Sequence, residues 1–270
     1  MRIALAGPGR AGQAVAIAAN GAGHDIAAVV ARNAEQAIAV ARRFDAIPLG
    51  IGEPIPPVDL VIIAVRDGAI ETVAGRIAPI ARNAAAAAIH LSGAVPVAAL
   101  SSFADHGVDV GSFHPLQTLP TPTLGARRLA GSSIAVTAIE PLRSTLHEFA
   151  RSMGCHPFDL DDADRAAYHA AAAAAANFPI AALVIAQRLF ESVGVPLDAA
   201  RPLAEAVVAN AFDAGPLTSL TGPVARGDSE TVAAQIAAVR EAAPDLAAAF
   251  EAMVDATAVV AGLSLKESAQ

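Results

Sequence analysis

The chain is nearly without lysine and cysteine. Lys266, close to the end, is the only lysine among 270 residues, and Cys155 is the only cysteine. A single cysteine forms no internal disulfide and leaves no cysteine-rich metal site, a usage that fits the cytoplasm. Basic residues are scarce as well. Lys and Arg number 18 against 26 Asp and Glu, a net charge of −8. There is no basic run and no basic patch flanked by aromatics, which argues against nucleic acid as a partner. Long apolar runs are missing too. Over residues 1–20 the glycines break the apolar run too early for a signal peptide. The apolar stretch 170–186 contains Asn177 and Pro179 and falls short of the roughly 20 residues that a membrane span requires. No membrane span is expected.

What the chain does have is small apolar residues and one glycine-rich turn. Hydrophobic residues make up 54% of it, enough for a sizeable core, and the length suits two domains. The run Ile3-Ala4-Leu5-Ala6 stops at Gly7, and Gly7, Gly9 and Gly12 follow the spacing G-x-G-x-x-G. An alanine-rich helical segment comes next. In that context the first glycine permits a tight turn off a strand. The second leaves room for a pyrophosphate, and the third allows close helix–strand packing. The N–H groups and dipole of the helix start then face the phosphates. Gly7, Pro8, Gly9, Arg10, Ala11 and Gly12 are therefore the candidate dinucleotide-binding loop.

The next strand, His24 to Ala31, ends at Arg32, twenty residues after Gly12. A carboxylate at about this point binds the ribose hydroxyls of NAD. An arginine suits the 2′-phosphate of NADP, through charge-assisted hydrogen bonds and stacking on adenine. NADP is thus the expected cofactor.

Residues 34–44 read as a helix, followed by a proline-rich turn through Pro48, Pro54, Pro56 and Pro57. The continuous apolar run from Val58 reads as a strand buried on both faces. It leads into Val65-Arg66-Asp67, where Asp67 is placed to cap a helix over 68–78. This loop, with Val65 and Asp67, should lie at the carboxyl edge where open α/β sheets bind ligands. Strands at 84–91, 108–113, 132–137 and 155–160 alternate with helices. Together they predict an α/β dinucleotide-binding domain over 1–160, a doubly wound and mostly parallel Rossmann sheet. From residue 161 the pattern is all-α, with helices near 163–193, 198–213, 228–242 and 245–262. Pro179 should kink the first of these. Residues 161–270 are read as a helical substrate and dimerisation domain, which makes a homodimer plausible on its alanine-rich helices.

Three signatures have accumulated: GPGRAG at the start, HLSG (His90 to Gly93) with FHPLQ (Phe113 to Gln117), and LTGPVARGD (Leu220 to Asp228). Together they resemble a group of bacterial Rossmann-like proteins with a helical C-terminal domain of unassigned function. These are relatives of pyrroline-carboxylate reductase, ketopantoate reductase and the β-hydroxyacid dehydrogenases. The resemblance covers nearly the whole chain. It implies NADP-dependent reduction of a small carbonyl or imine compound, with a 2-keto acid such as ketopantoate the leading candidate. Two alternatives stand beside it: a non-catalytic dinucleotide-binding sensor or scaffold, and a deazaflavin-linked NADP reductase.

Elimination narrows the chemistry. Tyr168 is the only tyrosine and Lys266 the only lysine, so a Tyr-x-x-x-Lys dehydrogenase is excluded. A zinc alcohol dehydrogenase lacks its ligands. Ketopantoate reductases and β-hydroxyacid dehydrogenases normally use a lysine in the first long helix of the second domain, and none stands there. A histidine is therefore the expected proton donor. His114, at a strand end, comes first, acting as an imidazolium. His169 comes second, paired with Asn177 on one stripe of the long helix, while Tyr168 should point elsewhere on that helix. Ser92 and Gly93 should offer a hydroxyl and bare backbone to substrate, with His90 packed inside. Thr221 and Arg226 complete the expected substrate contacts, Arg226 as a clamp for a carboxylate. Asp228 is placed to cap the helix after it.

Overall fold

The computed structural model describes residues 1–263, so Lys266 lies outside the described residues. The first half alternates strands and helices: β1 (Arg2–Ala6), α1 (Arg10–Gly21), β2 (Asp25–Ala31), α2 (Ala34–Ala41), β3 (Ile47–Gly50), β4 (Val58–Ile63), α3 (Ile70–Ala81), β5 (Ala85–His90), α4 (Ser101–Ala104), β6 (Asp109–Pro115), α5 (Pro122–Leu129), β7 (Ser133–Ala138), α6 (Leu142–Ser152) and β8 (His156–Asp159). The helices α7 (Arg165–Ser192), α8 (Arg201–Ala214), α9 (Ser229–Ala242) and α10 (Ala247–Val260) follow.

All eight strands form one sheet in the order β3-β2-β1-β4-β5-β6-β7-β8. Neighbours run parallel except β6 and β7, which are antiparallel. The protein is therefore a doubly wound, mostly parallel α/β sheet followed by an all-α region. Strand order reverses between β1 and β4, and such switch points open a crevice above the carboxyl ends of the strands.

Burial on both faces explains the apolar runs. Ile3, Leu5, Leu60 and Ile62 enter a core with Phe113 and Phe149. Their neighbours Ala4, Ala6, Val61 and Ile63 enter a second core with Ile77 and Phe103. Successive side chains of a strand point to opposite faces, so each run feeds both cores.

Three local expectations change. Pro48 lies in β3, an edge strand paired only with β2. Proline is tolerated there because one side of an edge strand needs no N–H. Asp67 does not cap a helix. It opens a short 3-10 turn, Asp67–Ala69, that precedes α3 and has no side-chain cap. Helix α5, which composition did not reveal, starts at Pro122 with Thr121 as N-cap accepting from the Leu124 amide at 3.3 Å. It packs closely on α1, where a Cβ on Gly125 would come within 2.9 Å of Ala14.

The chain divides into two compact units, Met1–Ala173 and a second beginning at Ala174. The division falls beyond residue 160 because the first turns of α7 pack on the sheet. Helix α7 runs unbroken through Pro179. Together with the turn before it, over Asp162–Ser192, it is long and apolar enough by length and composition to cross a bilayer. The apolar stretch thus exceeds the span read from 170–186, because the helix extends at both ends. The second unit buries Ile185, Val232, Val239 and Val254, and an exposed Arg240–Glu251 ion pair at 2.8 Å links α9 to α10.

The close approach of α1 to β1 depends on Gly12. A Cβ there would lie 2.6 Å from the Gly7 carbonyl oxygen and 2.8 Å from Ala64 Cβ. Gly12→Ala should destabilise the protein by about 1–3 kcal/mol, the usual range for overpacking, read as a lower denaturant midpoint. An unchanged midpoint would mean that the helix can retreat without loss.

Candidate functional site

The turn after β1 is built as its glycines imply. Gly7 has φ +93°, and a Cβ there would strike the Ala64 carbonyl at 2.7 Å. Gly9 differs: the nearest atom to a Cβ would be Ala64 O at 4.0 Å. The protein itself does not require glycine at this position; what a side chain would occupy is space in front of α1. Gly9 is the N-cap of α1 but gives no side-chain cap, and the first turn carries no acid. The first N–H groups of a helix have no intrahelical acceptor, so this end suits an anion. The Pro8 carbonyl accepts from Gln13 Nε2 at 2.8 Å and from Gln36 Nε2 at 3.3 Å, which holds the loop open.

Two hollows meet at this turn. One, of about 350 Å³, is lined by Gly7, Pro8, Gly9, Arg32 and Val65 with apolar Ile51 and Val73. The other, of about 500 Å³, is lined by Gly9, Arg10, Ala11, Val65 and Leu119. Arg32 is exposed and makes no ion pair or side-chain hydrogen bond among the described residues. Arg10 reaches the Pro120 carbonyl at 3.5 Å. Arg66 lines both hollows; sequence reasoning named its two neighbours and passed over it. Asp67 lines neither. Glycine loop, free helix end and unpaired arginine fit a phosphorylated dinucleotide.

A second group gathers where β5 and β6 meet the start of α7. His114 Nδ1 lies 2.8 Å from Tyr168 Oη, with the rings edge to face at 5.5 Å. Neutral imidazole protonated at Nε2 would accept from the tyrosine hydroxyl here, and protonated at Nδ1 it would donate to the tyrosine oxygen. His169 stands 6.2 Å from His114, ring centre to ring centre. The imidazole of His114 lies on Gly93, where a Cβ would be 2.8–2.9 Å from three ring atoms. Gly93 is thus bare backbone beneath His114.

Tyr168 does not point away as its spacing suggested. It turns onto His114 and Phe158 because α7 meets the sheet through its first turns. Nor is His114 an imidazolium. Burial, then the neighbouring His169 and Arg165, push it down to about 4, so it is neutral at neutral pH. Burial pushes Tyr168 up to about 12, so it keeps its proton. Ser92 is largely buried, and its Oγ accepts from the Ala94 and Val95 amides at 3.1 Å each. This hydroxyl turns the chain. His90 is fully buried, as its place in the strand implied, and accepts from the Ser92 amide at 3.2 Å.

Sequence reasoning missed Arg165. It is 2% exposed, and its guanidinium donates to Asp162 Oδ1, to the Ser92 carbonyl at 3.3 Å, to Ser112 Oγ and to Thr137 Oγ1 at 2.7 Å. The i,i+3 spacing of Asp162 and Arg165 was the available signal. The remaining candidates belong to the second unit. Asn177 is exposed there and Thr221 lines a cavity of about 330 Å³. Arg226 is exposed near Asp228, which caps α9 through the Thr231 amide at 3.1 Å. Bonds from Thr231 and then the Arg226 charge hold the Asp228 carboxyl below its usual range.

Residues 132–257 match a domain of unknown function (DUF2520). No curated protein matches the chain. A Bacteroides fragilis structure provisionally named an NADP oxidoreductase shares 22% identity at a TM-score of 0.81, over 96% of this chain and 98% of that one. An imine reductase from Streptomyces aurantiacus shares 18% at 0.62, over 96% of each chain. A reductive aminase from Aspergillus terreus, in complex with NADPH and ethyl-5-oxohexanoate, shares 17% at 0.58, over 98% of this chain and 88% of that one. At these identities the likeness shows the shared fold.

The two neutral histidines make stability depend on pH. Burial first, then Arg165, also lowers His90 to about 4. Between about pH 6.5 and pH 4 the unfolded chain binds protons that the folded chain refuses, so stability should fall on acidification through this window. The loss is about 2 kcal/mol per histidine at pH 5 relative to pH 7. Denaturant unfolding at the two pH values checks it, and His114→Asn should remove one share of the slope. A pH-independent midpoint would overturn the assignment of neutral histidines.

Proposed function

We propose that the protein is an NADP-dependent oxidoreductase that reduces a small carbonyl or imine compound, a 2-keto acid such as ketopantoate being the leading candidate. One observation carries this reading: the open, uncapped start of α1 behind Gly9, with Arg32 unpaired beside it. The names of the structures that share the fold support the same class.

The N–H groups of α1 and the loop Gly7–Gly12 would hold the pyrophosphate, and Arg32 and Arg66 the phosphate on the ribose. NADPH, when bound, supplies hydride. Tyr168 keeps its proton at neutral pH and would give it to the oxygen or nitrogen that gains electrons. In the tautomer protonated at Nδ1, His114 would donate to the tyrosine oxygen and leave the hydroxyl proton free for substrate, with the His114 ring lying on the bare backbone of Gly93. His169 is the second candidate for moving the proton. Asn177, Thr221 and Arg226 remain candidates for substrate contact.

We further propose that a second copy of the chain covers the helical unit. Phe178 on α7 is 64% exposed and Phe212 on α8 is 87% exposed, with Ile180, Leu203 and Val207 also open. Exposed large apolar side chains on both helices suit an interaction surface. Light scattering should report a dimer, and Phe212→Glu should weaken it. A wild-type monomer would sink the proposal. With its single buried cysteine, the protein is read as cytoplasmic.

Cofactor choice is tested by calorimetry. Arg32→Ala should weaken NADPH binding by roughly 1.5–3 kcal/mol, the range for hydrogen bonds to charged groups, and leave NADH nearly unchanged. Equal loss for both, or none, would refute a 2′-phosphate site. Turnover is tested by NADPH oxidation against a panel of 2-keto acids and cyclic imines. Tyr168→Phe should cut it by about 10²–10⁴-fold while NADPH affinity holds. The lack of a lysine in the first turns of α7 favours a second reading, a dinucleotide sensor without turnover. NADPH binding with no oxidation across the panel would establish that reading instead.

A further inference from the structure

Arg165 closes a circuit of contacts. Its guanidinium holds the Ser92 carbonyl, and Ser92 precedes Gly93, on which the His114 ring lies. Its other bonds reach Ser112, two residues before His114 on the same face of β6, and Thr137 on the neighbouring strand β7. His114 in turn holds Tyr168 Oη. Tyr168 stands three residues from Arg165 on α7, a spacing that puts side chains side by side. The circuit therefore returns to its start.

The charge inside this circuit is one-sided. Among the described residues Asp162 Oδ1 is the only carboxylate bonded to Arg165, and its side chain is 38% exposed whereas that of Arg165 is 2% exposed. The other partners of the guanidinium are neutral oxygens. The charge that acts on Tyr168 is Arg165 on α7; His114 on β6 bonds its hydroxyl, His169 is its neighbour in α7, and Asp164 stands four residues before it. Asp67, in the turn before α3, acts on His114 from farther off. Asp159 on β8 is taken by His147 at 2.8 Å. Among the described residues no carboxylate bonds the tyrosine hydroxyl or the His114 imidazole.

We propose that Arg165 is a positioning residue for the proton donor Tyr168: one buried guanidinium sets the geometry of the His114–Tyr168 pair and supplies the positive charge against which the phenolate forms. This rests on the reading of Tyr168 as donor. In the step concerned, the O–H bond of Tyr168 breaks and its proton joins the substrate oxygen or nitrogen, which has received the electron pair of the C=O or C=N bond. The phenolate left behind takes a proton from water. Arg165 touches none of the reacting atoms. It lowers the energy of the phenolate against the burial that raises it, and the same charge pulls Tyr168 down from where burial alone would put it.

The chain has one tyrosine and no tryptophan, so the ultraviolet absorbance of tyrosinate reports Tyr168 alone, with or without cofactor. Alkaline titration of the full chain should find Tyr168 ionising well above its value in denaturant, near 10. Arg165→Met should move the midpoint up by about 1 pH unit, the low end of what one nearby charge does. Asp162→Asn, which leaves the cation unopposed, should move it down. Arg165→Lys should keep the midpoint near wild type while losing thermal stability, because an ammonium keeps the charge but cannot span three strands. With substrate, Arg165→Met should lower kcat about 10-fold or more, leave the NADPH dissociation constant unchanged, and shift the alkaline limb of the kcat profile with the titration.

If Arg165→Met does not fold, Asp162→Asn still decides the matter. Midpoints of Arg165→Met and Asp162→Asn that stay at the wild-type value while stability falls would reduce Arg165 to a structural brace and overturn the proposal. Full turnover in Tyr168→Phe would instead overturn the donor reading, and the titration would then still show whether Arg165 acts on the tyrosine.

Discussion

A guanidinium taken out of water is costly unless its donors are used and its charge is answered. Arg165 meets that condition by drawing oxygens from the loop after β5, the middle of β6, the end of β7 and from Asp162 just before its own helix. Each of those groups is thereby fixed relative to the first turn of α7. The consequences spread to residues that Arg165 does not touch. Gly93 is held under the His114 ring, and Tyr168 is presented to it. The depressed histidines His90 and His114 follow from the same burial and the same cation.

The other end of the crevice is governed by backbone rather than by charge. Gly7 and Gly12 are required by the protein's own packing, since a Cβ at either meets main-chain atoms within 3 Å. Gly9 is not, so folding by itself does not account for a glycine there. The uncapped end of α1 makes the same distinction. Folding alone would favour a capping side chain there, and its absence leaves the first N–H groups of α1 without a side-chain acceptor. Structures named as an NADP oxidoreductase, an imine reductase and a reductive aminase share this fold at 17–22% identity, so the architecture outlasts most of the side chains laid upon it.

Much of this was legible in the chain itself. The alternation of apolar runs with helical segments gave the doubly wound sheet because strands buried on both faces must be continuously apolar. G-x-G-x-x-G gave the turn and helix start because those glycines act through local backbone geometry. Asp228 was readable as a cap for the same reason: its partner, Thr231, is three residues away. His114 was readable as a site candidate from its place at a strand end, but its charge was not. The expected imidazolium is a neutral ring because burial and neighbouring positive groups, all remote in sequence, set its protonation.

What the sequence determined, then, are features whose causes lie within a few residues: strand and helix periodicity, the glycine turn after β1, the arginine after β2, the Asp228 cap of α9. The tertiary structure decided what depends on neighbours brought from afar. It made Pro48 part of an edge strand, because only the sheet order shows which side of β3 lacks a partner. It turned Tyr168 onto His114, because the direction of a helix face depends on where the helix docks. It took Arg165 out of an ordinary acidic helix start and made it the hub joining the β5 loop, β6 and β7. Local spacing carries the conformation of the backbone, but burial and charge are sums over the whole fold, and those sums exist only once the chain has closed on itself.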